Sequence, residues 1–573
     1  MKISEYIADF LYARGVRHVF EVLGGMTTHL VDSLYRHGKI RIVSTHHEQA
    51  AAFAADALAR MTGVPGIAIA TSGPGATNLL TGIGSCYFDS VPAVFITGQV
   101  NRNEMKGNRP IRQAGFQETD IVAMATPITK AAWQVQTPDQ VPTLLADAFA
   151  LALAGRPGPV LVDIPMDVQY ANIAAPVPAQ ISVAASLEPA TADVARMLEA
   201  MRAAQRPLIL VGGGIRAARA AEWLRGFVAQ TNVPVVNSLM AVDALPYTHP
   251  LRVGLIGTYG NRWANLAIGR SDFLLVLGSR LDIRQTGSET EAFKSEREIY
   301  HVDCLADEIN TRVTGCHAIV ADLCAFLTVA MREVGGKSFS ARADWVAEIA
   351  ALKKQWSDTA ELVGVPGINP NELMHQLSAA SRAAAAFVVD VGQHQMWAAQ
   401  SLEPGEEQRF LTSCGMGAMG FALPAAVGAA MAHANQPVVV VAGDGGFQVN
   451  IQELETVAYN RLPIKIVVLN NRCYGMVRQF QQTYFEERYQ SSIWGYSAPD
   501  LARVAQAYGI ESATVSAPAD VPDALQKMWA EPSAPYLLQV MLDTFANAYP
   551  KIAFGRPITE MEPLAKPVDM EGT

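Results

Sequence analysis

Short, uninterrupted runs of β-branched and aliphatic residues, each followed by an Ala-rich stretch of helical character, recur along the whole chain. In the first third they read "RIVSTHH", "GIAIAT", "AVFITG" and "PVLVDIP". In the middle they read "PLILVGGG", "PVVNS", "FLLVLGS" and "IYHVD", and towards the end "AFVVDVG", "PVVVVAGDG", "IKIVVLNN" and "YLLQVML". A strand that is apolar on both sides has to be covered on both sides, which is the situation of a parallel sheet between two layers of helices. The pattern occurs three times, so the sequence predicts an α/β fold of three doubly wound parallel-sheet domains. At 573 residues the chain is too long for one core, in agreement.

Two breaks divide the pattern. "ANIAAPVPAQISVAASLEPA" is Ala/Pro-rich and poorly periodic, a linker over 171–190. A second linker, 336–368, holds one charged helix and ends in "GVPGINP". The expected domains are therefore 1–170, 191–335 and 369–550, followed by a tail, 551–573, with no strand pattern. That tail is expected either to be loose or to lie over a site.

Composition narrows the function. A formal net charge of −10 argues against nucleic-acid or anionic-membrane partners. The N-terminal "MKISEYIADFLYARGV" reads as an amphipathic helix rather than a secretion signal, and no run of roughly 18 apolar residues suggests a membrane span. The six cysteines are scattered without a C-x-x-C pair, which fits a reduced cytoplasm better than disulfides or zinc.

In "VVVVAGDGGFQVNIQELETVAYNRLPIKIVVLNNRCYG" two apolar strands end in oxygen-bearing residues, Asp444 and Asn471. Ligands of doubly wound sheets bind at strand carboxyl ends. A carboxylate and an amide oxygen suit Mg²⁺, which keeps few protein ligands and completes its shell with phosphate and water. Glycines beside Asp444 (Gly443, Gly445, Gly446) let backbone approach a phosphate, and the next helix offers its positive N-terminus. An isolated Gly-Asp-Gly is more often a tight turn with Asp as a helix cap; the second strand end with Asn-Asn favours a metal-bridged diphosphate site.

These spacings, with "VGQHQMWAAQ" (391–400), "GMGAMGFALPAAVGA" (415–429), "TSGPGATNLLTGI" (71–83), "GFQETD" (115–120) and "GSRLDIRQTG" (278–287), resemble the thiamine-diphosphate-dependent enzymes, in their acetolactate synthase branch. The resemblance runs from about residue 3 to about residue 550. It implies a pyrimidine-binding first domain, a middle domain of FAD-binding type and a diphosphate- and metal-binding third domain. It also implies a homodimer or homotetramer whose active sites lie between subunits.

The same resemblance assigns residues. Glu48 matches the carboxylate that bonds the pyrimidine N1′; read alone, it is a Glu complementing a helix N-terminus. Gln117 matches a position near the reacting carbon. Gly25, Gly73, Asn78, Gln393, His394, Gly417, Met419, Tyr474, Gly475 and Met476 match cofactor contacts, together with the three glycines around Asp444. Read alone, Met419 is core filler, His394 a buried structural histidine, Gly73 a turn residue, and His47 is as much structural as catalytic. The metal set becomes Asp444, Asn471 and the backbone carbonyl of Cys473. Flavin contacts fall on Gly212, Gly213, Thr258, Gly278, Arg280, Asp282, Arg284 and Asp303, the flavin being structural; a vestigial middle domain without flavin is the other reading.

Departures from the biosynthetic pattern cluster where substrate is expected. Met26 stands in "EVLGGM" where a small residue is usual, Met166 in "IPMDVQ" where Lys is usual, and Phe480 in "GMVRQFQQ" where Trp is usual. With Phe116 these suggest a remodelled acceptor pocket, as in flavin-containing relatives that add a two-carbon unit to ketones, including those of branched-sugar pathways. The expected function is decarboxylation of pyruvate on thiamine diphosphate, with transfer of the acetyl unit to a ketone or 2-keto acid. Ordinary acetolactate synthase, a cyclic diketone hydrolase and a flavin-dependent pyruvate oxidase are the alternatives; a non-catalytic regulatory subunit is disfavoured by Glu48, Asp444 and Asn471.

Overall fold

The computed structural model describes residues 1–174, 186–335, 339–432 and 436–568. Parts of both expected linkers and the end of the tail therefore lie outside the described residues. Three parallel six-stranded sheets, each flanked by helices, account for the three recurrences of the apolar pattern.

The first sheet contains β1 (His18–Val22), β2 (Arg41–Ser44), β3 (Gly66–Ala70), β4 (Ala93–Gln99), β5 (Ala131–Gln134) and β6 (Pro159–Pro165). Its spatial order is β2-β1-β3-β4-β6-β5. The middle sheet contains β7 (Pro207–Val211), β8 (Val235–Asn237), β9 (Arg252–Leu255), β10 (Phe273–Leu277), β11 (Glu298–Asp303) and β12 (His317–Val320). Its order is β12-β11-β10-β7-β8-β9. The third sheet contains β13 (Ala386–Val389), β14 (Arg409–Thr412), β15 (Val438–Gly443), β16 (Ile464–Asn470), β17 (Glu511–Val515) and β18 (Tyr536–Met541), ordered β14-β13-β15-β16-β18-β17. Ranked along the chain, the first and third sheets share one order, whereas the middle sheet has the reversed-halves order of dinucleotide-binding folds.

The first and third units share a core. The helix Glu48–Thr62 has alanine at seven of its fifteen positions and is buried along nearly its whole length. It lies against the equally small-residue helix Ala422–Ala432, where a Cβ on Gly428 would overlap the carbonyl of Ala54. Phe53 meets Phe421 edge-on at 5.3 Å beside this contact. Ala and Gly here bring two helix backbones together, so the composition of both helices is explained by their approach.

A buried ionic junction ties all three units. Arg60 pairs with Asp56 at 2.6 Å and Asp89 at 3.1 Å, and donates to the Thr412 carbonyl. Arg409 donates to the Arg60 carbonyl at 2.8 Å and pairs with Asp243, which also takes Arg216 at 3.0 Å. Acids and bases balance in this cluster. Removing one member of such a buried set typically costs about 3–5 kcal/mol, because its partner is left uncompensated.

The described part of the tail, 551–568, is not loose. Lys551–Ile552 pairs antiparallel with Met561–Glu562, and Lys551 bridges Glu562 at 2.8 Å. Ile552 N–H donates to the carbonyl of Thr258 at 2.8 Å, and Arg262 reaches the carbonyls of Met561 and Glu562. The hairpin thus packs on the middle unit, beside a predicted flavin contact.

Candidate active site

The third sheet reverses direction between β13 and β15, the place where such sheets bind ligands. Asp390 and Gly392–His394 follow β13, Asp444 follows β15, and Asn471 follows β16, whose Leu469 pairs with Gly443. The two oxygen-bearing strand ends of the sequence are therefore neighbours in space. Asp444 is 1 % exposed and opens the helix Asp444–Val449. Burial pushes its carboxyl up to about 6, against the opposing pull of the Tyr496 hydroxyl and neighbouring backbone amides. A buried carboxylate without a positive partner is what a cation would relieve.

Asn471 donates through Nδ2 to Gln393 Oε1 at 3.2 Å, while its own Oδ1 accepts from Cys473 N–H at 3.3 Å. Gln393 donates in turn to Gln479 at 3.1 Å. The Cys473 thiol points away, towards the Thr544 carbonyl, and burial pushes it up to about 11, so only its backbone carbonyl fits a metal role. Among the described residues no three His, Cys, Asp or Glu side chains converge on a metal position. The donor set of one carboxylate, one amide and one carbonyl suits magnesium, not zinc.

His394 is 5 % exposed, and its Nε2 is buried without a protein partner. Burial holds its pKa down at about 3, so the ring is neutral and can donate one hydrogen bond. An orphaned ring nitrogen beside Asp444's strand end fits a diphosphate acceptor. The glycines have a second reason to be glycine that the sequence did not reveal. A Cβ on Gly475 would overlap Gln393 Oε1, one on Gly443 would stand 2.8 Å from His394 Nδ1, and one on Gly446 2.9 Å from Asp390 Oδ1. They make room for the site's own side chains.

The turn from Cys414 to Gly420 crosses the mouth of this site. Gly417 has φ +62° and open space around it, so conformation and not crowding demands glycine there. Met419 is half-buried and Tyr474 more exposed. Two carboxylates missed in the sequence fix this turn. Asp390 accepts from the amides of Gly420 and Ala422 at 3.0 and 3.1 Å. Asp89, from the first unit, accepts from Cys414 and Gly415 at 3.0 and 2.8 Å. Asp390 ends an apolar strand as Asp444 does, so the same reading could have found it; Asp89 has no such signature.

In the first sheet the reversal lies between β1 and β3. Glu48 opens the helix after β2, 8 % exposed, and accepts at 2.9 Å from Nδ2 of Asn78, which follows β3. A Cβ on Gly75 would lie 3.2 Å from the other Glu48 oxygen. His47 precedes the helix and caps it, its Nδ1 accepting from Gln49 N–H at 3.1 Å. Gly73, at φ +65°, would with a Cβ come within 3.1 Å of Gln117 Cβ, so the two predicted residues meet; Gln117 itself sits at φ +66°. Phe116 is 80 % exposed. Gly25 has open space around it, whereas a Cβ on Gly24 would overlap Thr71, so Gly24 is the glycine the packing requires. Met26 N–H donates to Thr71 Oγ1 at 3.3 Å and its carbonyl accepts from Gln169.

The middle sheet reverses between β7 and β10, and the turns after them touch. A Cβ on Gly212 would overlap the Gly278 carbonyl, and Gly278, at φ +59°, lies 2.8 Å by its own Cβ position from Gly214 Cα. In front of them opens a cavity of about 680 Å³, lined by Gly213, Thr258, Gly278, Arg280, Asp282, Arg284 and Asp303. That volume is within the roughly 300–1,000 Å³ of small-molecule sites. Gly212 underlies the wall without lining it. Burial raises the Asp303 carboxyl, which accepts from Leu305 N–H at 2.9 Å. The cavity continues past Gln395, Met396 and Gly415 to Gly417 and Met476, and Phe88 and Arg156 also border it, so all three units line one continuous space. Phe480 does not belong to that lining; it is 40 % exposed, its ring 4.8 Å from Tyr484 and 5.7 Å from Phe485.

Three family models match the chain in succession. They are the "Thiamine pyrophosphate enzyme, N-terminal TPP binding domain" at residues 1–124, the "central domain" at 194–329 and the "C-terminal TPP binding domain" at 390–540. The chain is 38 % identical over 561 residues to the acetolactate synthase isozyme 2 large subunit of Escherichia coli (strain K12), covering 98 % of this chain and 99 % of that one. It is 35 % identical over 573 residues to the acetolactate synthase large subunit of Porphyra purpurea, covering 98 % and 95 %. With acetolactate synthase 3, chloroplastic, of Brassica napus it shares 36 % over 569 residues, covering 97 % and 85 %.

Proposed function

We propose, from the premise that this chain belongs to the acetolactate synthase-like branch of the thiamine pyrophosphate enzymes, that it decarboxylates pyruvate and transfers the acetyl unit to a ketone or 2-keto acid. The observation that carries the reading is the pair Asp444 and Asn471 on adjacent strand ends, beside a neutral His394 with a buried, unpartnered ring nitrogen. Thiamine diphosphate, when bound, supplies the carbon that adds to a ketone and holds the electron pair released with carbon dioxide.

The chain's own residues do the rest. Asp444, the Asn471 amide oxygen and the Cys473 carbonyl hold Mg²⁺, while Gln393 and His394 contact the diphosphate. Glu48, with one oxygen fixed by Asn78, holds a proton at the pyrimidine ring. Gly417 offers its carbonyl and Met419 its side chain to the cofactor; Gly25, Gly73, Tyr474, Gly475 and Met476 form its surroundings. Gln117 orients substrate, and Met26, Phe116 and Phe480 shape the acceptor side. FAD fills the cavity between the middle and third units as a structural group; reversed-halves sheet order and the Gly212/Gly278 contact support it.

The working domains are 1–170, 191–335 and 369–550, in a homodimer or homotetramer with active sites between subunits. A cytoplasmic setting agrees with six free cysteines and with the absence, among the described residues, of a helix long and apolar enough to cross a membrane. The named relatives favour a second reading, ordinary acetolactate synthase, in which the acceptor is another 2-keto acid. Incubation with pyruvate, with and without a ketone, tests both. A tertiary alcohol from the ketone supports the wider acceptor range; acetolactate alone supports the second reading. Acetate with peroxide, or no consumption of pyruvate, overturns both.

A further inference from the structure

A segment that the cofactor assignments leave unused crosses the third sheet's strand ends. After the helix Gly475–Tyr484 the chain turns back, and the carbonyl of Ser492 accepts from Tyr474 N–H at 3.0 Å. Ser492 is buried and bonds Gln481, which anchors the return. Gly495 follows at φ +79° with open space around its Cβ position, so the backbone conformation alone requires glycine. That conformation delivers Tyr496 to the site: its hydroxyl donates to Asp444 Oδ2 at 2.7 Å. Its ring rests edge-on against Tyr474 at 4.6 Å. A Cβ on Gly445 would stand 2.5 Å from Tyr474 Cε1 and 3.3 Å from Tyr496 Oη, so Gly445 leaves the space in which Tyr474 packs and Tyr496 reaches Asp444.

We propose that Tyr496 is a positioning residue for the metal site: its phenol fixes one oxygen of Asp444, so that the carboxylate presents the other, singly, to a divalent cation. The proposal rests on the cation–diphosphate reading of Asp444 above. It gives Asp444 an oriented hydrogen bond from a side chain, beside its backbone-amide contacts, as Asn471 has its bonds to Gln393 and Cys473. Ligands held this way bind small hard cations more tightly, because their orientation is not lost on binding. Tyr496 touches neither substrate nor cofactor in this account; it acts only through Asp444.

The test is a Mg²⁺ titration of thiamine diphosphate binding to the full chain, read by calorimetry, for wild type, Tyr496→Phe and Asp444→Ala. Phenylalanine keeps the ring packing on Tyr474 and removes only the hydroxyl. Tyr496→Phe is expected to need about 10–100-fold more Mg²⁺ for half-maximal binding, with kcat at saturating Mg²⁺ close to wild type and unchanged thermal unfolding without cofactor. If Asp444→Ala loses binding while Tyr496→Phe keeps the wild-type Mg²⁺ requirement, the Tyr496 proposal falls and the site reading stands. If Asp444→Ala binds as wild type does, the site reading falls and takes the proposal with it. Binding that Mg²⁺ cannot restore in Tyr496→Phe also overturns it, since the hydroxyl would then serve the ligand or the fold directly.

Discussion

At the switch point of the third sheet, Asp444, Asn471, Gln393 and Gln479 are buried, and the last three form a hydrogen-bonded chain. At the corresponding point of the first sheet, which has the same strand order, Gly25 and Phe116 face solvent, and Glu48 has Asn78 as its side-chain partner. One topology thus carries a finished cradle and an open half-site. On the proposed reading the cradle holds an anion and a cation from within one chain, and the half-site offers a single carboxylate to something brought from outside. That asymmetry is what an active site shared between subunits would require.

The comparison breaks most visibly at Asp444. Asp444→Ala should abolish metal-dependent cofactor retention, and calorimetry at millimolar Mg²⁺ should show no tight thiamine diphosphate binding. Wild-type affinity would mean that the third-sheet cradle is not a metal site. Glu48→Gln should do the reverse: binding and folding stay largely intact while turnover falls about 10²–10⁴-fold, the usual value of a lost proton transfer. A variant retaining more than half of wild-type pyruvate consumption would remove Glu48 from the chemistry.

A smaller effect is expected where the middle unit joins the cradle. Gly278→Ala puts a methyl 2.7 Å from Leu323 Cδ1 at a positive φ, and the left-handed conformation alone costs an alanine about 1–2 kcal/mol. The purified variant should carry less than half the wild-type flavin absorbance. Full flavin content would detach FAD from the β7/β10 reversal. Phe480→Trp should have the smallest effect. A few added ring atoms shift acceptor preference by about 1–3 kcal/mol at most, so acetolactate should rise against the ketone adduct in competition, with pyruvate consumption little changed. An unchanged product ratio would fit the exposed packing of Phe480 on Tyr484 and Phe485 and leave acceptor choice to other residues.

The fold was legible wherever strands are apolar on both sides. In the three large sheets the strands that escaped the sequence are β5, β9, β12, β14 and β17, all sheet edges, together with β1; the two short strands of the tail hairpin escaped as well. In "HAIV" of β12 only Ile319 is buried, so the continuous apolar signature is absent; β9 ("RVGL") and β14 ("RFLT") are largely buried but short, and each opens on an arginine. β1 is central but interrupted by Glu21, buried and bonded to Ser44. In the site, strand-end oxygens announced themselves because they break an apolar run. Asp89 and Tyr496 did not: their roles come from contacts with Gly415 and Asp444, far along the chain, and neither sits in a pattern of its own. Gly25 and Gly24 show the same limit, since adjacent glycines look alike until Thr71 is placed against one of them.

The hairpin of 551–562 also sets an order of events during synthesis. Ile552 closes on the carbonyl of Thr258, which lines the flavin-sized cavity, and Arg262 is tied to Met561 and Glu562. At about 5–20 residues per second, a ribosome reaches Ile552 tens of seconds after Thr258. Once β12 has been made the middle sheet is complete, but the carbonyl of Thr258 lacks its Ile552 partner until the hairpin arrives. The middle sheet is therefore made early, and the contacts of Thr258 and Arg262 with the hairpin late, after the third unit has been made.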